Sequence, residues 1–217
     1  MIMKNKLERY DYNLKSEYVI QEGKEFYKYS KGNWNGKFDN KNPIILELAC
    51  GNGEYTVERS FKDPLRNYIG IDIKGARIWK GANKLENNKS KNAFFLRIQI
   101  ENILNFFENN EVDEILISFP DPRPKKRDIK KRLTNMKFLD MYYKILKKNG
   151  LLMLKTDDVD LFNYSLDQIK SSGFVIKNYT NDLYKSKKYD TFKEIKTKYE
   201  LRFLSEGKKI KFLQCLR

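Results

Sequence analysis

Three acids stand where an apolar run gives way to a turn. Glu47 lies near the end of the run 44–49 and precedes Cys50-Gly51-Asn52-Gly53, Asp72 lies at the end of 68–73, and Asp121 sits between two prolines just beyond 112–119. Carboxylates at the ends of buried strands can hold a cation, accept hydrogen bonds from a sugar diol, or stabilise positive charge that develops on a substrate. The prolines hold Asp121 on a stiff turn. Directly after it, seven of the ten residues from Arg123 to Arg132 are Lys or Arg. One acid at a strand end, flanked by dense positive charge, points to a site that handles a polyanion and acts on it. Pro-Asp-Pro is also an ordinary turn and a basic run an ordinary solvated loop, so the rest of the chain must decide.

Histidine is absent, which removes the side chain most often used as a general base near neutral pH. Chemistry must then run on carboxylates, Lys, Tyr or a cofactor. Cys50 and Cys215 are far apart and lack CxxC spacing, so neither a structural zinc nor a disulfide framework is expected.

Gly51 and Gly53 let the backbone turn tightly and approach a ligand, and the helix that follows offers free N–H groups. Two details turn this weak Gly-x-Gly signal away from a dinucleotide. Thr56 stands where the third glycine of a pyrophosphate loop falls, and Glu47 would repel a pyrophosphate but suits a cationic ligand. Asp72, about 20 residues on, is placed to accept hydrogen bonds from a ribose diol. A ligand with ribose, adenine, a carboxylate and positive charge but no phosphate is S-adenosyl-L-methionine. The plainer alternative makes Glu47 a cap of the turn and Asp72 a loop acid.

The elements that must position these residues alternate. Strands are expected at 44–49, 68–73, 93–98 and 112–119, with helices at 54–62, about 76–87 and 103–107. Phe138, Tyr142, Ile145 and Leu146 share one face of a helix ending near Asn149-Gly150, with Tyr142 and Tyr143 assigned to packing. A strand at 151–155, a helix at 161–169 and strands at 174–179 and 209–216 complete a seven-stranded, mostly parallel α/β sheet with helices on both faces. Residues 1–42 read as an N-terminal extension lying over the domain or over a substrate, its first dozen residues equally a disordered arm, and 43–217 as the domain.

With 217 residues, 40% apolar, the chain can bury one sizeable core, and its formal charge of +15 favours an anionic partner. The N-terminus lacks the apolar core of a secretory signal and no apolar run approaches the ~20 residues that span a bilayer. A cytoplasmic protein without membrane or metal partners is the expectation.

The segments ELACGNG, YIGIDIK, SFPDPRPKKRDIKKRL, LKTDD and TKYELRF, in this order, resemble the bacterial tRNA guanine-N7 methyltransferases, the TrmB family, from about residue 40 to the C-terminus. The resemblance implies a Rossmann-like class I methyltransferase fold and methyl transfer from S-adenosyl-L-methionine to N7 of the variable-loop guanosine at position 46 of tRNA. It further implies donor contacts at Glu47, Asp72 and Gln99, beside the glycine turn of Gly51 and Gly53, with Asp121 both a donor contact and the catalytic residue. Substrate contacts are implied at Lys125, Asp157, Thr197, Lys198, Tyr199 and Glu200, and an RNA-contacting loop at Arg127, Asp128, Ile129, Lys130, Lys131 and Arg132. Tyr199 is read as an anchor to the core in preference to a stacking platform. Gln99 replaces the family's Asp or Asn, Ala49 its first turn glycine, and Arg123 its usual Trp.

Guanine N7 carries a lone pair and no proton, so its methylation needs no base and the missing histidine is no obstacle. The site must align N7 with the methyl carbon and stabilise the emerging cation. The expectation is one of sorting by charge: acids inside the pocket, with Asp121, Asp157 and Glu200 near the guanine, and Lys and Arg outside on the phosphates. Two other readings stay open: a methyltransferase with a different target atom, and an RNA-binding protein of the same fold without turnover. A monomer and a homodimer are equally compatible with the sequence.

Overall fold

The computed structural model describes residues 5–217; residues 1–4 of the expected extension lie outside the described residues. The chain opens with α1 (Lys6–Lys15), whose Asn5 side chain caps the helix by accepting from the Glu8 N–H at 2.9 Å. A two-residue strand β1 (Val19–Ile20) and the short helices α2 (Glu25–Tyr29) and α3 (Trp34–Phe38) follow. Strands and helices then alternate: β2 (Ile44–Leu48), α4 (Glu54–Lys62), β3 (Asn67–Ile71), α5 (Gly75–Asn87), β4 (Ala93–Leu96), a 3-10 turn (Ile100–Asn105) and β5 (Val112–Ser118). A second 3-10 turn (Lys126–Lys131) leads to α6 (Met136–Ile145), β6 (Leu146–Thr156), α7 (Val159–Lys170) and β7 (Val175–Thr180). The short α8 (Asp190–Lys193), α9 (Lys198–Ser205) and β8 (Lys211–Leu216) end the chain.

Among the described residues the sheet has eight strands in the order β1-β4-β3-β2-β5-β6-β8-β7, one more than the seven expected. All neighbours are parallel except β8, which runs antiparallel to β6 and β7. The extra strand is β1, too short to carry a periodicity, which pairs Val19 with Phe95 and Ile20 with Leu96. Trp34 is wholly buried in the main core, stacks on Phe107 at 5.3 Å and donates its Nε1–H to the Phe106 carbonyl at 2.8 Å. Residues 19–38 therefore contribute to the sheet edge and the core. The first dozen residues are no loose arm where described, because α1 packs on α5: Tyr12 donates to Glu86, and buried Asn13 to the Gly75 carbonyl at 2.8 Å.

Alternate residues of the central strands feed opposite cores. Leu46, Leu48, Ile115 and Ile117 pack with α3 and α6 on one face, while Ile45 packs with Val57 of α4 and Ile78, Ala82 and Leu85 of α5 on the other. Leu116 and Met153 meet Leu183, Tyr189 and Ile195, so the polar segment between β7 and β8 covers the sheet beside α4. Leu146 starts β6 opposite Val112 and does not continue the helix. Tyr142 is fully buried, whereas Tyr143 is partly exposed, edge-on to Phe174.

Candidate active site

In an open parallel sheet the crevice lies beyond the carboxyl ends of the strands where the order reverses, here at β2, which has β3 on one side and β5 on the other. Leu48 pairs with both Ile71 and Ile117, and Ser118 with Lys155. The turn after β2, Asp72 after β3, the Asp121 turn after β5 and Asp157 after β6 thus leave four adjacent strands on one rim.

The glycine turn coils through left-handed backbone at Ala49, Gly51 and Gly53, with φ of 56°, 57° and 69°. At Ala49 that conformation costs about 1–2 kcal/mol which a glycine would not incur. A Cβ on Gly51 would meet nothing within 4 Å, so the backbone is open to a ligand there; one on Gly53 would lie 2.2 Å from the buried Phe95 ring.

Glu47, only 3% exposed, accepts from the Thr56 N–H at 3.0 Å and the Thr56 hydroxyl at 2.6 Å. Thr56, in place of a third glycine, thereby becomes the acid's partner. Burial dominates these two bonds and raises the Glu47 carboxyl from 4.5 to about 7, with Glu54 and Asp72 adding repulsion. Asp72 accepts from the Gly51 N–H at 2.9 Å and the Lys74 N–H at 2.8 Å, bracing the two loops while each oxygen keeps a second lone pair. Gln99 follows β4 on the same rim and is exposed. A buried acid with no ion-pair partner among the described residues, an acid with spare acceptor capacity and an open glycine backbone fit the amino acid and ribose of S-adenosylmethionine.

Asp121 is 62% exposed at the mouth of this crevice and paired with Arg123, Oδ2 to Nε 3.3 Å, while Oδ1 accepts from the Arg123 N–H at 3.2 Å. An exposed pair of this kind is worth about 0–1 kcal/mol, so a competing hydrogen-bond donor can displace the arginine. Phe119 and Arg123, with φ of 48° and 49°, hold strained left-handed backbone on either side of Asp121.

The basic run divides. Lys125, Arg127, Lys130 and Lys131 are exposed, Asp128 pairs with Lys131 at 2.8 Å, and Ile129 is half-buried. Arg132, expected in the RNA-contacting loop, is turned inward. It is 7% exposed, donates from Nε to the Pro122 carbonyl at 2.9 Å and from Nη2 to the Arg123 carbonyl at 3.4 Å, and stacks over Tyr164 at 4.6 Å. Its guanidinium fixes the Asp121 turn, because carbonyls pulled off the surface need a donor.

Three implied substrate contacts are also engaged within the protein. Glu200 is wholly buried in an ion pair with Lys155 at 2.6 Å and accepts from Tyr184 at 2.8 Å. Asp157 is bound to Lys208 at 2.8 Å, and Thr197 caps α9 by accepting from the Glu200 N–H at 3.3 Å. Lys198 donates its backbone N–H to Glu54 at 2.6 Å, docking α9 on the start of α4, and its side chain is exposed. Tyr199 is 49% exposed and not anchored in the core; it stacks on Phe203 at 6.4 Å, which meets Phe119 at 5.6 Å. Charge sorting therefore describes Glu47 and Asp72 inside and Arg127, Lys130 and Lys131 outside. It is reversed by exposed Asp121, buried Arg132, and Glu200 neutralised by Lys155.

Sequence reasoning passed over Lys155, Tyr184 and Phe203. Lys155 carried a signal: a lysine ending the apolar LLMLK run, in a sheet covered on both faces, must have a buried partner.

Among the described residues no helix is long and apolar enough to cross a membrane, and no group of three or more His, Cys, Asp or Glu is arranged to hold a metal. The backbone resembles an antibiotic-related methyltransferase with a TM-score of 0.64 at 19% identity, over 88% of this chain and 98% of that one. It also resembles an S-adenosylmethionine-dependent methyltransferase from Aquifex aeolicus, with a TM-score of 0.55 at 14% identity, over 85% and 88%. Both likenesses are of fold. The family described as "Putative methyltransferase" matches residues 41–213. A tRNA (guanine-N(7)-)-methyltransferase from Christiangramia forsetii is 44% identical over 97% of each chain. With a sequence relative of that closeness spanning the crevice, its glycine turn and the Asp121 rim together, the chain belongs to the tRNA (guanine-N7-)-methyltransferase family.

Proposed function

We propose that this chain methylates N7 of the variable-loop guanosine at position 46 of tRNA, with S-adenosylmethionine as donor and Asp121 as the catalytic residue. The observation that carries the reading is the placement of Asp121, exposed on the same rim as buried Glu47 and Asp72 and followed directly by exposed Lys and Arg. When bound, S-adenosylmethionine supplies an electrophilic methyl group on a sulfonium.

Every other task falls to the protein. Glu47 offers a carboxylate to the donor's ammonium, Asp72 its spare lone pairs to the ribose diol, and Gln99 a hydrogen bond toward the adenine. Asp121 accepts from the guanine N1 and N2 hydrogens, which both orients N7 and lowers the energy of the positive charge spreading into the base. An oriented interaction of this type contributes ~2.7–4 kcal/mol to a barrier. Because N7 bears no proton, no residue has to remove one. Lys125, Arg127, Lys130 and Lys131 meet phosphates, which gives affinity without reading sequence.

The test mixes the purified protein with unmodified tRNA transcript and labelled S-adenosylmethionine, then digests the RNA and identifies the labelled nucleoside and its position. 7-Methylguanosine in the variable loop is the expected product. Another methylated nucleoside would move the target atom, and no label at all would leave a binding protein.

A further inference from the structure

The carboxylate of Glu200 has little capacity left for a substrate. Lys155 Nζ lies 2.6 Å from Oε1 and 2.7 Å from Oε2, and Tyr184 donates to Oε1 at 2.8 Å. Lys155 also donates to the Phe192 carbonyl at 3.0 Å, and its own carbonyl accepts from the Phe119 N–H at 2.9 Å. One lysine at the end of β6 thus reaches α8, α9 and the residue two before Asp121. Residues 181–197 are mostly polar, with Leu183, Tyr189 and Ile195 buried beneath them and Tyr184 and Phe192 packed partly buried against these. We propose that Glu200 is a positioning residue: locked to Lys155 and Tyr184, it clamps the segment 184–205 onto β6 and sets where Lys198 and Tyr199 stand beside the glycine turn, without touching the guanine. This rests on the tRNA methylation proposed above.

A buried ion pair gives a sharp test, because removing one partner strands a charge while replacing both with apolar groups does not. Lys155→Met and Glu200→Leu singly should each lower kcat/KM for tRNA by roughly a hundredfold, mainly through KM, with donor affinity little changed. The double variant should regain most of the loss. A double variant that melts like the parent yet is as inactive as Glu200→Leu would show that the carboxylate itself meets the base, and would overturn the inference.

Tyr184→Phe removes one bond and no charge, and supplies a measurement that does not depend on the double variant folding. It should raise KM for tRNA about threefold to tenfold and speed tryptic cleavage at Lys185, Lys187 and Lys188. Unchanged KM and unchanged cleavage would refute the clamp. Wild-type protein that makes no 7-methylguanosine would reject the proposed reaction, while the cleavage comparison would still judge the clamp.

Discussion

Replacing Glu47 with Gln should change the pH dependence of stability in a calculable way. The wild-type carboxyl is shifted by burial from 4.5 to about 7, so the folded protein holds this proton to a higher pH than the unfolded chain does. Its contribution is fully present below pH 4.5, declines above that, and is lost as pH rises through about 7, where folding must carry a buried carboxylate. At ~1.4 kcal/mol for each tenfold change in proton affinity, the loss reaches about 3 kcal/mol. Because Glu47 is almost wholly buried, screening by solvent reduces this little. Glutamine keeps an oxygen for the Thr56 N–H and hydroxyl and cannot ionise. Urea unfolding of both proteins should therefore give similar stability near pH 4.5, with Glu47→Gln pulling ahead by about 3 kcal/mol above pH 8. Taking the difference between variant and parent cancels the other titrating groups. A difference that stays constant over this range would refute the assignment of the buried proton to Glu47. A cation beside Glu47 favours the ionised form, so S-adenosylmethionine affinity measured by calorimetry should rise over the same pH window, with proton release, and this rise should vanish in the variant.

Asp121→Ala should lower kcat by ~10²–10³ while tRNA affinity, measured by filter binding, changes little; equal losses in both would reject the catalytic role. Removing Arg127, Lys130 and Lys131 together should flatten the log–log salt dependence of tRNA binding by ~0.7–0.9 for each phosphate that is no longer neutralised. Arg132→Lys should instead lower kcat with the salt slope intact, since its partners are the Pro122 and Arg123 carbonyls; a flattened slope would return it to the RNA. Gly81→Ala places a Cβ 2.4 Å from the Phe95 ring and 2.9 Å from the Asn52 carbonyl, so thermal or urea unfolding should show a loss of ~1–3 kcal/mol, partly recovered when Phe95→Leu is added. No recovery would mean that the Asn52 carbonyl, not the ring, sets the limit.

The alternation of apolar runs with helical patterns sufficed for the parallel sheet, because a strand covered on both faces has to be largely apolar, as IILEL and NYIGI are apart from Glu47 and Asn67. The positions of Glu47, Asp72 and Asp121 at strand ends were legible for the same reason: strands of known direction bring their carboxyl ends to one rim. β1 was not legible, since two residues carry no period and Val19–Ile20 becomes a strand only when β4 offers its edge. Nor could residue type reveal that Asp121 is exposed against Arg123, that Arg132 is folded inward onto carbonyls, or that Glu200 is spent on Lys155. The sequence by itself determined which charges the chain carries and which strand ends they follow. Only the tertiary structure decided which of them face solvent and which are already neutralised, because burial and pairing depend on residues far apart in the chain, as Lys155 and Glu200 are.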